Sequence, residues 1–487
     1  MKDRIITTIY ILFFMLIVSS CKKWVDVDGP ETSVGFKEAF STDATAIGVI
    51  TSLYADMGNQ VLGQPAHLTS LSCIAGLSAD ELRYFNASGN SLLNAYYTNS
   101  LNAQIVGDPG YWGAIYAEMY VVNTAIEELN AATLLTPKVK QQLTGEAKFL
   151  RAFYYFYLTN LYGDVPLIIG TDYTVNARIS KKPKADIYKQ VLLDLTEAQN
   201  LLSEYYLQGD GITVYPAEAQ ERVRPNKWVA TALLARVYLY LNNWTEAEAQ
   251  ASKIIDGQSQ FHLESLDKVF LKSSKEAIWQ VLPTKGYLNT TDADLFVLMS
   301  TGPSGNNPVY LNERLVESFE DNDERLSSWV GSVSANGKTY YYPNKYKIIR
   351  SSEPSPPITE YSTVMRLAEQ FIIRAEARVQ LGNQSGAVSD IDEIRKRAGL
   401  PLLESISSGL QKKDLLAAIL KERRMELFTE WGHRWLDLKR LNLIDQVMST
   451  ATPEKNQGST WKSYQQYYPL SIAELQKNTN LIQVPGY

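Results

Sequence analysis

The sequence predicts a mainly α-helical protein of paired helices, interrupted by long irregular insertions and a small amount of β-hairpin. One observation is periodicity: Leu416, Ile419, Leu420, Leu427, Phe428, Trp431, Trp435, Leu438 and Leu441 recur at spacings of three and four, which places them on one helical face. The densest part, 421–440, reads as one continuous helix whose charges pair along it, Glu430 with Arg434, His433 with Asp437 and Asp437 with Arg440, each within a turn of its partner. Gly432 in its middle lowers helix propensity and reads as a close approach by a neighbouring backbone. A second observation is a pair of matching hairpins. Ala235 precedes Ala247 by twelve residues across Asn242-Asn243, and Ala375 precedes Ala387 by twelve across Gly382-Asn383. Small residues at equivalent points let antiparallel helices approach closely. The spacing fits a tetratricopeptide-type repeat and an ordinary helical hairpin equally, because the fixed ~34-residue period is missing. The third is Asn336-Gly337 between two short runs, 332–334 and 339–342, the strongest short hairpin signal.

Taken in order, the chain opens with Lys2 and Arg4 before an apolar run from Ile5 to Val18 and then Ser19-Ser20-Cys21. Such a run is too short to span a bilayer comfortably and reads as a signal peptide over 1–20. Val18-Ser19-Ser20-Cys21 resembles a bacterial lipobox, which implies an acylated Cys21 and a lipidated tether over 21–36. Cys73 is the other cysteine, so no intramolecular disulfide follows. The remaining 37–487 reads as one helical domain. Helical patterning covers 37–58, then weakens between Gly63 and Gly110, where polar and aromatic residues mix. Long decorated loops inside compact chains are usually functional or mobile. Helices resume over 112–130, and a partner opened by Pro137 is stopped by Tyr162-Gly163-Asp164-Val165-Pro166. Another runs over 184–206 and a further pair starts at Pro225. The largest insertion spans 257–360. After the Pro-rich 351–357, helices are expected from Thr363 to Gly399 and again from Asp414, followed by an irregular apolar tail over 467–487 that packs on the body.

Composition excludes several classes. The chain has 487 residues, 45% hydrophobic and 21% charged, enough for a large core. With 47 basic against 53 acidic residues and no basic block, nucleic acid is not an expected partner. The unusual count is 30 tyrosines, whose apolar faces and polar tips suit both helix packing and polar-ligand sites. No catalytic or metal constellation is present: His67, His262 and His433 are scattered, and Glu430-x-x-His433 has no second copy. Gly331 to Thr339 has five residues between its glycines and a hairpin setting, so it is not a phosphate-binding loop. No cofactor is implied. Paired carboxylates of a glycoside hydrolase depend on folding, so a surface hydrolase stays open, as does a protein–protein adaptor.

Several stretches together resemble the RagB/SusD family of outer-membrane nutrient-binding lipoproteins. They are Cys21-Lys-Lys-Trp-Val-Asp-Val27, Glu146-Ala-Lys-Phe-Leu-Arg-Ala-Phe-Tyr-Tyr155 with Leu161-Tyr-Gly-Asp-Val-Pro-Leu167, Ile394-Arg-Lys-Arg-Ala-Gly399, Glu422-Arg-Arg-Met-Glu-Leu427 with Gly432-His-Arg-Trp-Leu-Asp-Leu438, and the final Pro-Gly-Tyr487. The resemblance implies tetratricopeptide-like hairpins forming a superhelical scaffold at the cell surface. It also implies a binding protein, not an enzyme, that captures a glycan, or a peptide or other nutrient, and passes it to a SusC-like TonB-dependent outer-membrane transporter. The family's shared motifs are structural, so the contact residues come from residue chemistry. Sugar rings need aromatic faces for their C–H sides and amides, carboxylates or guanidiniums for their hydroxyls. The insertions near 63–110 and 257–360 hold both. Tyr84, Tyr96 and Tyr97 are the expected stacking residues, with Asp80, Arg83, Asn86 and Asn99 for hydrogen bonds; Tyr287, Asn289, Asn306 and Asn307 are expected to complete the site.

Overall fold

The computed structural model describes residues 35–57, 70–85, 89–107, 110–257, 260–284, 286, 288–349, 357–406 and 409–487. The expected signal peptide and the expected lipidation site, Cys21, lie outside the described residues. In chain order the elements used below are α1 (Asp43–Asp56), α2 (Leu71–Ser78), β1 (Leu82–Tyr84), α3 (Ser91–Tyr97), α4 (Gly110–Ala131), α5 (Pro137–Tyr162), β2 (Val165–Pro166), β3 (Lys181–Lys182), α6 (Lys184–Leu201), α7 (Lys227–Tyr240), α8 (Trp244–Asp256), β4 (Ala277–Val281), β5 (Val309–Leu311), β6 (Val330–Ala335), β7 (Lys338–Pro343), β8 (Ser362–Arg366), α9 (Leu367–Gln380), α10 (Gln384–Arg397), α11 (Lys412–Leu427), α12 (His433–Arg440) and α13 (Ile444–Lys455).

From α4 to α10 each helix packs on the next, and α11 closes on α9 and α10. This is the stacked-hairpin scaffold. Ala235 and Ala247 share one buried cluster with Ala377, and Ala375 and Ala387 share another, so the small residues sit where the helices approach. Helix α5 is the axis. Its Phe149, Phe153, Tyr154, Tyr155, Phe156 and Tyr157 are all buried, and Trp279 of β4 meets Phe149 and Phe153 edge-on at 5.0 and 5.3 Å. Such a helix is apolar around most of its circumference and therefore covered on several sides. Its polar residues are paired: Arg151 with Asp194 of α6 at 2.7 Å, and Glu146 with Arg224 at 2.7 Å.

Two expectations need correction. The expected helix from Thr363 begins as strand β8, which pairs antiparallel with β4. Val364, Met365 and Arg366 are buried in a row, and a short run covered on both faces cannot be told from a helix by periodicity. The continuous helix over 421–440 is two helices. Backbone φ turns positive at Thr429 (53), Trp431 (45) and Gly432 (74), conformations that end a right-handed helix. A Cβ on Gly432 would lie 3.0 Å from the Cβ of Ala75 in α2, so the glycine marks both a break and a close approach. The break has an electrostatic consequence. Glu430 pairs with Arg366 at 2.8 Å and Lys345 at 2.5 Å, and Arg434 with Asp80 at 2.7 Å, replacing the expected local pair; only Asp437 with Arg440, at 2.7 Å, is kept. Local helix pairs contribute only ~0.2–0.5 kcal/mol, so long-range partners outcompete them.

Around that break lies a buried ionic network. Arg366 reaches Glu276 at 3.0 Å and Glu426 at 2.5 Å, Arg397 reaches Glu276 at 2.6 Å and also Glu426, and Arg325 reaches Asp323 at 2.7 Å and Glu422 at 2.6 Å. Burial raises the Glu426 carboxyl, but Arg397, Arg366 and Arg325 outweigh it and hold it well below the usual range. The terminal tail packs as expected, with Tyr468, Leu470, Leu481 and Val484 buried.

Candidate functional site

The two insertions meet in a small sheet. Strand β1, from the first, pairs antiparallel with β5, from the second, in the register Leu82↔Leu311, Arg83↔Tyr310 and Tyr84↔Val309. Side chains alternate across a strand. Leu82, Val309 and Leu311 therefore point into the core, while Arg83 and Tyr310 share the other face as a cross-strand pair. The β6–β7 hairpin packs beside β5. Its turn is Asn336 (φ 51) and Gly337 (φ 75), the pair of left-handed residues that a two-residue hairpin requires. Lys338, Tyr340 and Tyr342 then fall on one face of β7. Tyr340 meets Tyr310 edge to face, ring centroids 5.1 Å apart, and the Lys338 ammonium lies 5.3 and 5.1 Å from the two rings. Glu313 links the strands by ion-pairing with Arg83 and, at 3.4 Å, with Lys338.

The platform is charged yet half open. Burial pushes the Glu313 carboxyl up, but backbone hydrogen bonding, Arg83 and Lys338 hold it below the usual range. Tyr97, whose ring lies 6.4 Å from that of Tyr84, backs the platform, and burial raises its hydroxyl. The loop before β5 closes one edge. Gly302 has φ 77, and a Cβ there would meet Ala335 at 3.0 Å and the Tyr340 ring at 3.6 Å, so only glycine lets this loop lie against the hairpin. Exposed Asn306 projects from it. The arrangement offers the partly exposed Tyr340 ring, backed by buried Tyr310 and flanked by a guanidinium, an ammonium and a carboxylate. Among the described residues, no group of three or more His, Cys, Asp or Glu is placed to hold a metal ion.

The expected contact residues divide sharply. Arg83 stands on the platform and Tyr97 at its back, and Asn306 is exposed on the loop that leads into β5, whereas Asn86 and Tyr287 lie outside the described residues. The others make contacts within the fold. Asp80 is clamped by Arg434 at 2.7 Å and Arg424 at 2.9 Å, joining the start of β1 to α11 and α12. The Tyr84 hydroxyl accepts from the Asn90 backbone N–H at 2.8 Å. Tyr96 is buried edge-on against Tyr468 at 5.2 Å. Asn99 donates to the Ser78 carbonyl at 3.0 Å and accepts from Thr452 at 3.2 Å. Asn289 accepts from the backbone N–H groups of Thr359 and Glu360 at 2.7 and 2.9 Å, and Asn307 donates to the carbonyls of Asp294 and Leu295 at 2.7 and 2.9 Å. Their amides are consumed by loop backbone, a use of Asn that favours turns and loops. Sequence reasoning missed Lys338, Tyr340, Tyr310 and Glu313. The alternation Lys338-x-Tyr340-x-Tyr342 after Asn336-Gly337 was the signal that could have found the first two.

Comparison with known proteins decides the family. A SusD family profile matches residues 170–487, well over half the chain.

The chain belongs to the SusD family. A second profile, described as starch-binding and associating with the outer membrane, matches residues 75–239, which include β1. SusD-like protein P2 of Formosa agariphila is 26% identical, covering 92% of this chain and 93% of its own. Among solved structures, a SusD superfamily protein of Bacteroides vulgatus superposes with a TM-score of 0.76 at 21% identity, covering 92% of this chain and all of the other. A laminarin-binding SusD-like protein gives 0.73 at 22% identity, covering 91% of this chain and 99% of the other. Surface glycan-binding protein A of Bacteroides fluxus gives 0.74 at 20% identity, covering 92% of this chain and 100% of the other. At these identities the structural matches establish the SusD fold. Among the described residues no helix is long and apolar enough to cross a membrane.

Proposed function

We propose that this SusD-family chain is a cell-surface lipoprotein, anchored to the outer membrane through Cys21, that captures a glycan without cleaving it and hands it to a SusC-like TonB-dependent transporter. The observation that carries the glycan reading is the platform of Tyr310, Tyr340, Lys338 and Arg83, assembled from two insertions distant in sequence. The partly exposed Tyr340, held edge to face by buried Tyr310, presents a C–H-compatible ring, and the charged rim presents donors and acceptors that match sugar hydroxyls. The partly open setting suits a polymer that enters and leaves sideways. Two structural relatives support the ligand class, one called laminarin-binding and the other a surface glycan-binding protein.

Calorimetry of the chain without its lipid against a panel of soluble glycans, laminarin first, tests this reading. Product analysis accompanies it. Saturable binding with no new reducing ends is expected. Released oligosaccharides would overturn the binding reading, and absence of affinity for every glycan would leave an adaptor as the better account. Co-purification of the acylated chain with a transporter barrel tests the delivery step.

A further inference from the structure

We propose that a second recess, between the C-terminal end of α5 and the tail, binds an anionic sugar unit, carboxylated or sulfated. The recess has a volume of ≈ 430 Å³ and is lined by Gly163, Lys181, Lys184, Tyr467 and Asn480 among others, a size at which ligand pockets are common. It lies on different elements from the tyrosine platform. Two lysines line it, and a third, Lys439, lies behind the Tyr467 ring. Lys181 on β3 lies 5.9 Å over the ring of Trp112, and Lys184 at the start of α6 donates to the Asn160 side-chain oxygen at 3.0 Å. Lys439 on α12 donates to the Gln466 carbonyl at 2.9 Å and to the Asn160 carbonyl, and sits 4.4 Å from the Tyr467 ring centroid.

Among the described residues none of these lysines is ion-paired. Asp164 is the carboxylate whose field reaches Lys181 and Lys184. Its Oδ1 already accepts from the Lys184 backbone N–H at 2.9 Å, and the residue is exposed. In a chain of net charge −6, a recess lined by two lysines and one carboxylate, with a third lysine behind its Tyr467 wall, is a local inversion of sign. Buried like charges repel, and a bound anion would relieve that repulsion. Burial lowers Lys181 and Lys184 to about 8, as expected for partly desolvated ammoniums awaiting a counter-charge. The α6 N-terminus adds its dipole in the same sense. Geometry also fixes the wall: Gly163 has φ 78, and a Cβ there would sit 3.5 Å from the Tyr467 ring. Ser180 is exposed at the rim, and the exposed Asn480 donates its amide to the Arg178 carbonyl at 2.5 Å, leaving its side-chain oxygen as an acceptor for a sugar hydroxyl. The choice of a sugar as the anion's carrier rests on the glycan reading above; the capture of an anion does not.

The test is calorimetry of the full chain, without lipid, against three matched oligosaccharides, one glucuronate-bearing, one sulfated and one neutral, with sodium sulfate alone and a C-terminal peptide carboxylate as further arms. Variants are Lys181→Ala, Lys181→Gln and Tyr340→Ala, each checked for an unchanged melting temperature. Lys181 is chosen because its ammonium makes no hydrogen bond that the fold needs. At least one acidic oligosaccharide should bind tenfold or more tightly than the neutral one, lose that advantage in both Lys181 variants and keep it in Tyr340→Ala. Equal affinity for acidic and neutral sugars, or acidic binding that survives Lys181→Ala, overturns the proposal. Sulfate alone or the peptide binding as tightly as the acidic sugar overturns the sugar assignment. Failure of Tyr340→Ala to weaken neutral-glycan binding would instead refute the platform reading and leave this recess standing.

Discussion

Around Arg366 and around Lys338 the chain assembles the same kinds of side chain, basic groups, glutamates and aromatic rings, to opposite ends. Arg366 and Glu426 are 2% and 0% exposed, Lys338 and Glu313 48% and 33%. At the first cluster the aromatic rings of Phe270 and Trp329 close over the charges, and desolvated ions must be fully paired. At the second the ions stay in water, where a pair contributes about 0–1 kcal/mol. Burial, not composition, separates a group that holds the fold from one free to meet a ligand.

That contrast can be broken at either end. The largest effect is expected from Arg366→Ala, which takes one buried partner from each of Glu426, Glu430 and Glu276; chemical denaturation should register a loss of ~3–5 kcal/mol, while glycan affinity of the remaining folded protein is retained. Glu81→Gln should move stability the other way. Burial, then the charge of Asp80, pushes the Glu81 carboxyl from 4.5 up to about 7, although Arg434 and Arg424 oppose the shift. The folded state therefore holds a proton that the unfolded chain releases near 4.5, so this residue's contribution falls as pH rises from 4.5 to about 7. In Glu81→Gln that fall should vanish, raising stability above neutral pH by on the order of 2 kcal/mol, read from urea titrations at both ends of the window. Gly432→Ala comes next. Its left-handed φ of 74 and the 3.0 Å approach to Ala75 should together cost about 1–2 kcal/mol, visible as a lower denaturation midpoint. The smallest stability change belongs to Tyr340→Ala at the open cluster, within about 0.5 kcal/mol. Its glycan affinity should nevertheless fall about tenfold, ~1.4 kcal/mol of binding. A Tyr340→Ala protein that unfolds easily, or an Arg366→Ala protein as stable as the parent, would erase the distinction.

The helices were legible because their apolar faces repeat. Pro137 opened α5 and Gly163 closed it as read, and the twelve-residue spacing of Ala235 and Ala247 located a hairpin. The candidate site was legible only as a region. Asp80, Asn99 and Asn289 have the side chains that a sugar needs, yet the fold uses them to tie loops to helices. Nothing in a linear chain distinguishes an amide facing backbone from one facing water. Conversely, Lys338 and Tyr340 lay in a hairpin that was expected, but its partner strand was not.

By itself the sequence determined the helical scaffold, the position of the Asn336-Gly337 turn and the family, because these depend on local spacing and on short motifs read along the chain. The tertiary structure alone decided that 421–440 would break, that β1 would pair with β5 across more than two hundred residues of sequence, and that Lys181 and Lys184 would share a recess with the tail. Those outcomes depend on which distant groups compete for the same charge or backbone partner, a competition settled only when the chain is compact.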